Sequence, residues 1–129
     1  MSASRIAAAL LAPLAAAASA PAPASPVAAP VQVIVLYSHG YQPSPIRLAA
    51  GRAVTLHFVN RAGKRHDFTA PAFFGAARAL SGNAAGGKVD LAPGASRTVT
   101  LVPVAGSYRV RCTRPLHKLL GMKATIVVG

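Results

Sequence analysis

Residues 53–60 read A-V-T-L-H-F-V-N, with apolar and polar side chains alternating at period two. This places Val54, Leu56 and Phe58 on one face, expected to be core, and Thr55, His57 and Val59 on the other, with His57 turned to solvent. Similar short runs follow, each bounded by turn signals. Val31 to Leu36 is rich in β-branched residues, Pro43 and Pro45 precede Ile46 to Leu48, and Gly51 marks a turn. Val89 to Leu91 ends at Pro93-Gly94, Thr98 to Val102 follows, and Gly106 turns the chain into Ser107 to Cys112. Lys123 to Val128 is the last run. Between Ala70 and Gly87 the pattern lapses, and Phe73 to Leu80 can form one or two helical turns within a loop excursion. Seven or eight short strands separated by turns predict an all-β sandwich with a short helical excursion, rather than a bundle or a parallel sheet.

The N-terminus reads as an address rather than as fold. Arg5 precedes an apolar run from Ile6 to Ala18, broken only by Pro13, and no Lys, Arg, Asp or Glu follows before Arg47. Such a run is shorter than the roughly 20 residues that cross a bilayer, but it suits the core of a secretory signal. Ala22 and Ala24 form an A-x-A arrangement before Ser25, so residues 1–24 are expected to be a signal peptide, with Ala18 a competing cleavage site. Residues 25–30 form a Pro/Ala-rich leader, and residues 31–129 a single domain of about 100 residues with one core and no membrane span. The expected location is the periplasm or another exported compartment.

Fourteen Lys and Arg face only two acidic residues, for a formal net charge of +12. A surface of that sign draws anionic partners through a salt-sensitive field. Nucleic acid is not the expected partner, because the chain is exported and its basic residues lack the interleaved aromatics of a single-strand platform. The same charge keeps a domain soluble, and a monomer is expected.

Cys112 is the only cysteine. It therefore cannot form an internal disulfide, a CxxC redox pair or a CxxCH haem site. In an oxidising compartment such a thiol survives by burial or by holding a metal. The surrounding segment, Y-R-V-R-C-T-R-P-L-H-K-L-L-G-M-K, sets Cys112, His117 and Met122 at Cys-x4-His-x4-Met between two strands. Met122 is the only methionine besides Met1. Thiolate, imidazole and thioether together suit copper in both oxidation states. A trigonal site needs a second imidazole, and His66, in N-R-A-G-K-R-H-D-F, is placed to supply it from another strand. His39, in a turn, and His57 lie outside this pattern. As alternatives, Cys112 could be a small core residue, His66 a turn histidine and Met122 core filler.

The stretches Y-Q-P-S-P-I-R-L-A-A-G-R-A-V-T-L-H-F-V-N, H-D-F and G-S-Y-R-V-R-C, with the His and Gly-Met that follow, resemble the cupredoxins, the blue copper family of plastocyanin, azurin, pseudoazurin and amicyanin. The resemblance spans residues 31–129 and implies a Greek-key β-sandwich. It also implies one copper ion held by His66, Cys112, His117 and Met122, the last as a weak axial ligand, and a role in one-electron transfer. Asp67 departs from the family pattern, in which Asn commonly follows the first histidine and helps to hold the cysteine sulfur. Asp67 can still offer its backbone N–H, while its carboxylate brings negative charge toward the metal.

The expected redox partner presents an acidic docking surface. It would meet an apolar patch of Pro115, Leu116, Leu119 and Leu120 around His117, rimmed by Arg114, Lys118 and Lys123. The alternative is a copper-carrying or buffering protein without electron transfer, since the same donors capture Cu(I). Enzymatic use of Cys112 as nucleophile and His117 as base is not expected, because no acidic residue lies nearby in sequence to orient the histidine.

Overall fold

The computed structural model describes Pro13, residues 28–114 and residues 122–129. The expected signal peptide apart from Pro13, residues 25–27 of the expected leader, and residues 115–121 lie outside the described residues. Among the described residues, ten strands form two five-stranded sheets. They are β1 (Val31–Tyr37), β2 (Gly40–Gln42), β3 (Ile46–Leu48), β4 (Val54–Asn60), β5 (His66–Thr69), β6 (Arg78–Ser81), β7 (Lys88–Leu91), β8 (Ser96–Val102), β9 (Gly106–Arg111) and β10 (Lys123–Val128). One sheet runs β2-β1-β4-β8-β6 and the other β3-β10-β9-β5-β7. The pairs β1 with β4 and β3 with β10 are parallel, and the remaining ladders are antiparallel.

The β-sandwich matches the expected fold class, with more strands than the seven or eight expected. The additional strands are those whose sequences carry no alternation. β2 is a three-residue return from the Ser38-His39 turn, β5 is buried along its whole length, and β6 is exposed along its whole length at a sheet edge. The helical excursion is correspondingly shorter than expected. Helix α1 covers Pro71–Ala76, opening on a proline that lacks only an N–H the first turn would not use. Residues 78–80, expected to continue it, belong instead to β6, which pairs with β8. The neck of the excursion closes where Ala70 N–H donates to Gly87 O at 2.9 Å. Gly87 is required there: its φ is 72°, and a Cβ would come within 2.5 Å of Pro71 Cα.

The expected core face of β4 is the observed one, with Val54, Leu56 and Phe58 buried between the sheets. Phe58 from one sheet meets Phe68 from the other at 4.9 Å between ring centroids, and Tyr41 meets the same ring edge-on at 5.4 Å. This aromatic contact links the two layers beside His66. His57 is half-buried on the outer face, with Nδ1 3.1 Å from Thr98 Oγ1.

The crossing from β4 in one sheet to β5 in the other is set by Asn60, which is fully buried. Its Nδ2 donates to the carbonyls of Lys64 at 2.9 Å and Leu91 at 3.0 Å, and its Oδ1 accepts from Ala62 N–H at 2.9 Å. Leu91 is the register partner of His66, so one side chain fastens the turn to the strand pair that carries the histidine. Truncation would strand several buried backbone groups. Asn60→Ala is expected to cost about 3 kcal/mol in urea unfolding; a loss below about 1 kcal/mol would show that the turn holds without it.

Candidate metal centre

His66 begins β5, and Cys112 lies one residue beyond β9. The two strands share a single register pair, Thr69 with Arg111. A continued ladder would bring Asp67 opposite Thr113, but there the two strands exchange side-chain bonds instead. Thr113 N–H donates to Asp67 Oδ1 at 3.0 Å and Thr113 Oγ1 donates to Asp67 Oδ2 at 2.8 Å. Thr69 Oγ1 donates to Asp67 Oδ1 at 2.6 Å. Asp67 N–H points at Cys112 Sγ, 3.5 Å away, and Asp67 O accepts from Tyr41 O–H at 2.6 Å. The carboxylate is 1% exposed, and these donors offset the cost of burying it.

The strands therefore part just where two soft or borderline donors converge. His66 Nδ1 lies 4.0 Å from Cys112 Sγ. A first-row metal ion bonded to imidazole at about 2.0 Å and thiolate at about 2.3 Å, at a trigonal angle, would set those atoms about 3.7 Å apart. The observed separation fits an ion between them. Cys112 N–H donates to Met122 O at 3.1 Å, which pins the start of β10 to the cysteine. His66, Cys112 and Met122 are 2%, 0% and 1% exposed, so water is excluded from these three side chains. Among the described residues no three His, Cys, Asp or Glu side chains form a metal-holding group. Of the four donors expected from the sequence, His66, Cys112 and Met122 lie near one another and His117 is outside the described residues.

Of the expected docking residues, Pro115, Leu116, Lys118, Leu119 and Leu120 lie outside the described residues. Arg114 is half-buried, with its guanidinium 3.4 Å from Asp90, and Arg65 reaches the same carboxylate at 3.6 Å. Lys123 is exposed at the start of β10, opposite Arg111. Sequence reasoning missed Tyr41, Asn60 and Thr113. The signal for Asn60 was present, as a strand-ending Asn followed by a Gly-containing turn.

The Cupredoxin-like domain family model matches residues 6–128. The chain belongs to the cupredoxins. The match begins inside the segment read as a signal. The fold is that of auracyanin from the photosynthetic bacterium Roseiflexus castenholzii, at 22% identity and TM-score 0.57, covering 77% of this chain and 96% of that one. Auracyanin A from Chloroflexus aurantiacus, a "blue" copper protein, gives 22% identity and TM-score 0.52 over 77% and 99% of the two chains. The multicopper oxidase McoA from Aquifex aeolicus gives 18% identity and TM-score 0.59, covering 83% of this cupredoxin but only 31% of the oxidase. No curated protein sequence matches the chain. Among the described residues, no helix is long and apolar enough to cross a membrane.

In the metal-free cupredoxin, burial pushes the Cys112 thiol above its ordinary range. The backbone N–H groups of Asp67 and Arg114 pull the other way, and the Asp67 carboxylate pushes it further up. The thiol is thus protonated near neutrality, and metal uptake must expel that proton. Affinity should rise with pH by up to about tenfold per unit below the thiol pKa. The same shift makes the thiol's contribution to metal-free stability present at neutral pH and lost as pH rises through the folded-state pKa. Asp67→Asn removes the nearby negative charge, so the ultraviolet thiolate absorbance should appear at lower pH than in the wild type. An unchanged titration would show that the carboxylate does not act on the sulfur.

Proposed function

We propose that this cupredoxin is an exported type 1 copper protein carrying single electrons, with His66, Cys112, His117 and Met122 as ligands to one ion. The observation that carries the reading is the buried pair of His66 Nδ1 and Cys112 Sγ, 4.0 Å apart, where β5 and β9 separate. Copper held there would supply a one-electron Cu(II)/Cu(I) couple.

The chain's own residues do the rest. Asp67 N–H directs positive charge at the sulfur and steadies it. The Thr113 and Met122 backbone bonds fix both ends of the 113–122 segment, so the donors keep their places when the charge of the site changes. Burial of Cys112 and His66 excludes water, which limits both solvent rearrangement and exchange of the metal. That enclosure favours an electron carrier over a copper-carrying protein, which must release its ion. Export rests on the signal-like residues 1–24, and the location is the periplasm or another exported compartment. The excess of positive charge suits a redox partner with an acidic surface, met by a monomer through the patch around His117.

Titration of the metal-free protein with Cu(II) should give an intense visible band and a narrow-hyperfine EPR signal, both absent from Cys112→Ser. Met122→Leu should keep the colour and change the potential, because an axial thioether is weak and long. A wild type that binds Cu(II) without colour, or takes up only Cu(I) and releases it readily to a chelator, would favour copper carriage.

A further inference from the structure

The outer face of the β3-β10-β9-β5-β7 sheet carries a groove. It encloses about 1060 Å³, floored by β9 and β10 and walled by Ser44-Pro45 on one side and Pro71-Ala72 on the other. Arg109, Arg111 and Lys123 line it, and all three are exposed. Arg111 and Lys123 are register partners across the ladder. Like charges placed directly opposite each other weaken a sheet, so folding does not explain them.

The chain cannot neutralise this face from within. Its only acidic side chains are Asp67 and Asp90. Asp67 is committed to Thr69 and Thr113, with Lys88 at 4.0 Å, and Asp90 to Arg65 and Arg114. Among the described residues, no ion pair involves Arg109, Arg111 or Lys123.

We infer that this groove docks an extended acidic segment of a partner protein. The shape selects the occupant. A lipid surface is broad and meets flat or convex faces, whereas a walled channel admits a narrow chain. The cationic row along its floor complements successive carboxylates. The groove shares Lys123 with the expected rim of the His117 patch but is otherwise built from other described residues, and binding there needs no copper. On the ligand assignment proposed above, a segment seated in it lies one residue from each sulfur donor: Arg111 precedes Cys112, Lys123 follows Met122, and Met122 itself lines the groove.

The test is NMR titration of the metal-free and copper-loaded protein with a short poly-glutamate peptide. Poly-glutamine, phosphatidylglycerol vesicles and a single-stranded oligonucleotide serve as comparison probes. The Arg109→Gln/Arg111→Gln/Lys123→Gln variant is set against Arg52→Gln/Arg61→Gln/Arg97→Gln, which removes the same charge elsewhere. Shifts are expected along residues 107–111 and 123–125, with affinity about tenfold weaker in the groove variant and changed less than about threefold in the other. Arg111→Gln alone should weaken the peptide without lowering the melting temperature, because it relieves a like-charge pair. Equal weakening by both triple variants, shifts elsewhere, or tighter groove-dependent binding of vesicles or oligonucleotide would overturn the inference.

Discussion

Where an antiparallel ladder would continue from Thr69 and Arg111 to Asp67 and Thr113, the side chain of Asp67 stands in for the backbone. Its carboxylate takes the Thr113 N–H and hydroxyl, its N–H turns to Cys112 Sγ, and its C=O accepts from Tyr41. Two consequences follow. The strands separate at the point where His66 and Cys112 converge, yet the separation is spanned by charge-assisted bonds and does not fray. The residue after the cysteine is also fixed, which orients the chain entering the 115–121 segment. An Asn there would offer one accepting oxygen to the same donors, so Asp67 holds the junction more fully while adding negative charge beside the sulfur.

Much of this was legible in residue order. The alternation in 53–60 and the Pro93-Gly94 turn each rest on local chemistry that sequence displays directly. Other features were hidden for physical reasons. β5 reads H-D-F-T, and a strand buried on both faces needs no alternation, so the bounds of the strand that carries His66 could not be read from the sequence. Arg78–Ser81 reads R-A-L-S and buries neither face because it lies exposed at an edge, and its strand state comes from pairing with β8. The work of Asn60 and Tyr41 depends on carbonyls 31 and 26 positions away, which no local pattern reveals.

The charge distribution follows the same organisation. Both carboxylates sit on one strand pair, with Asp67 in register with Asp90, where opposition of like charges would be unfavourable without Lys88, Arg65 and Arg114 around them. Acidic residues are thus confined to the centre they help to shape, and the remaining surface is left basic. A protein arranged in this way presents a positive field to its surroundings while keeping a fixed negative group close to its most buried donors.

The most direct measurement is X-ray absorption at the copper edge of the loaded protein. The account predicts one short sulfur and two imidazole nitrogens around a single ion, with the sulfur and one imidazole shell lost in Cys112→Ser and His66→Ala respectively. A coordination shell of nitrogen and oxygen alone, or one unchanged by either substitution, would contradict it.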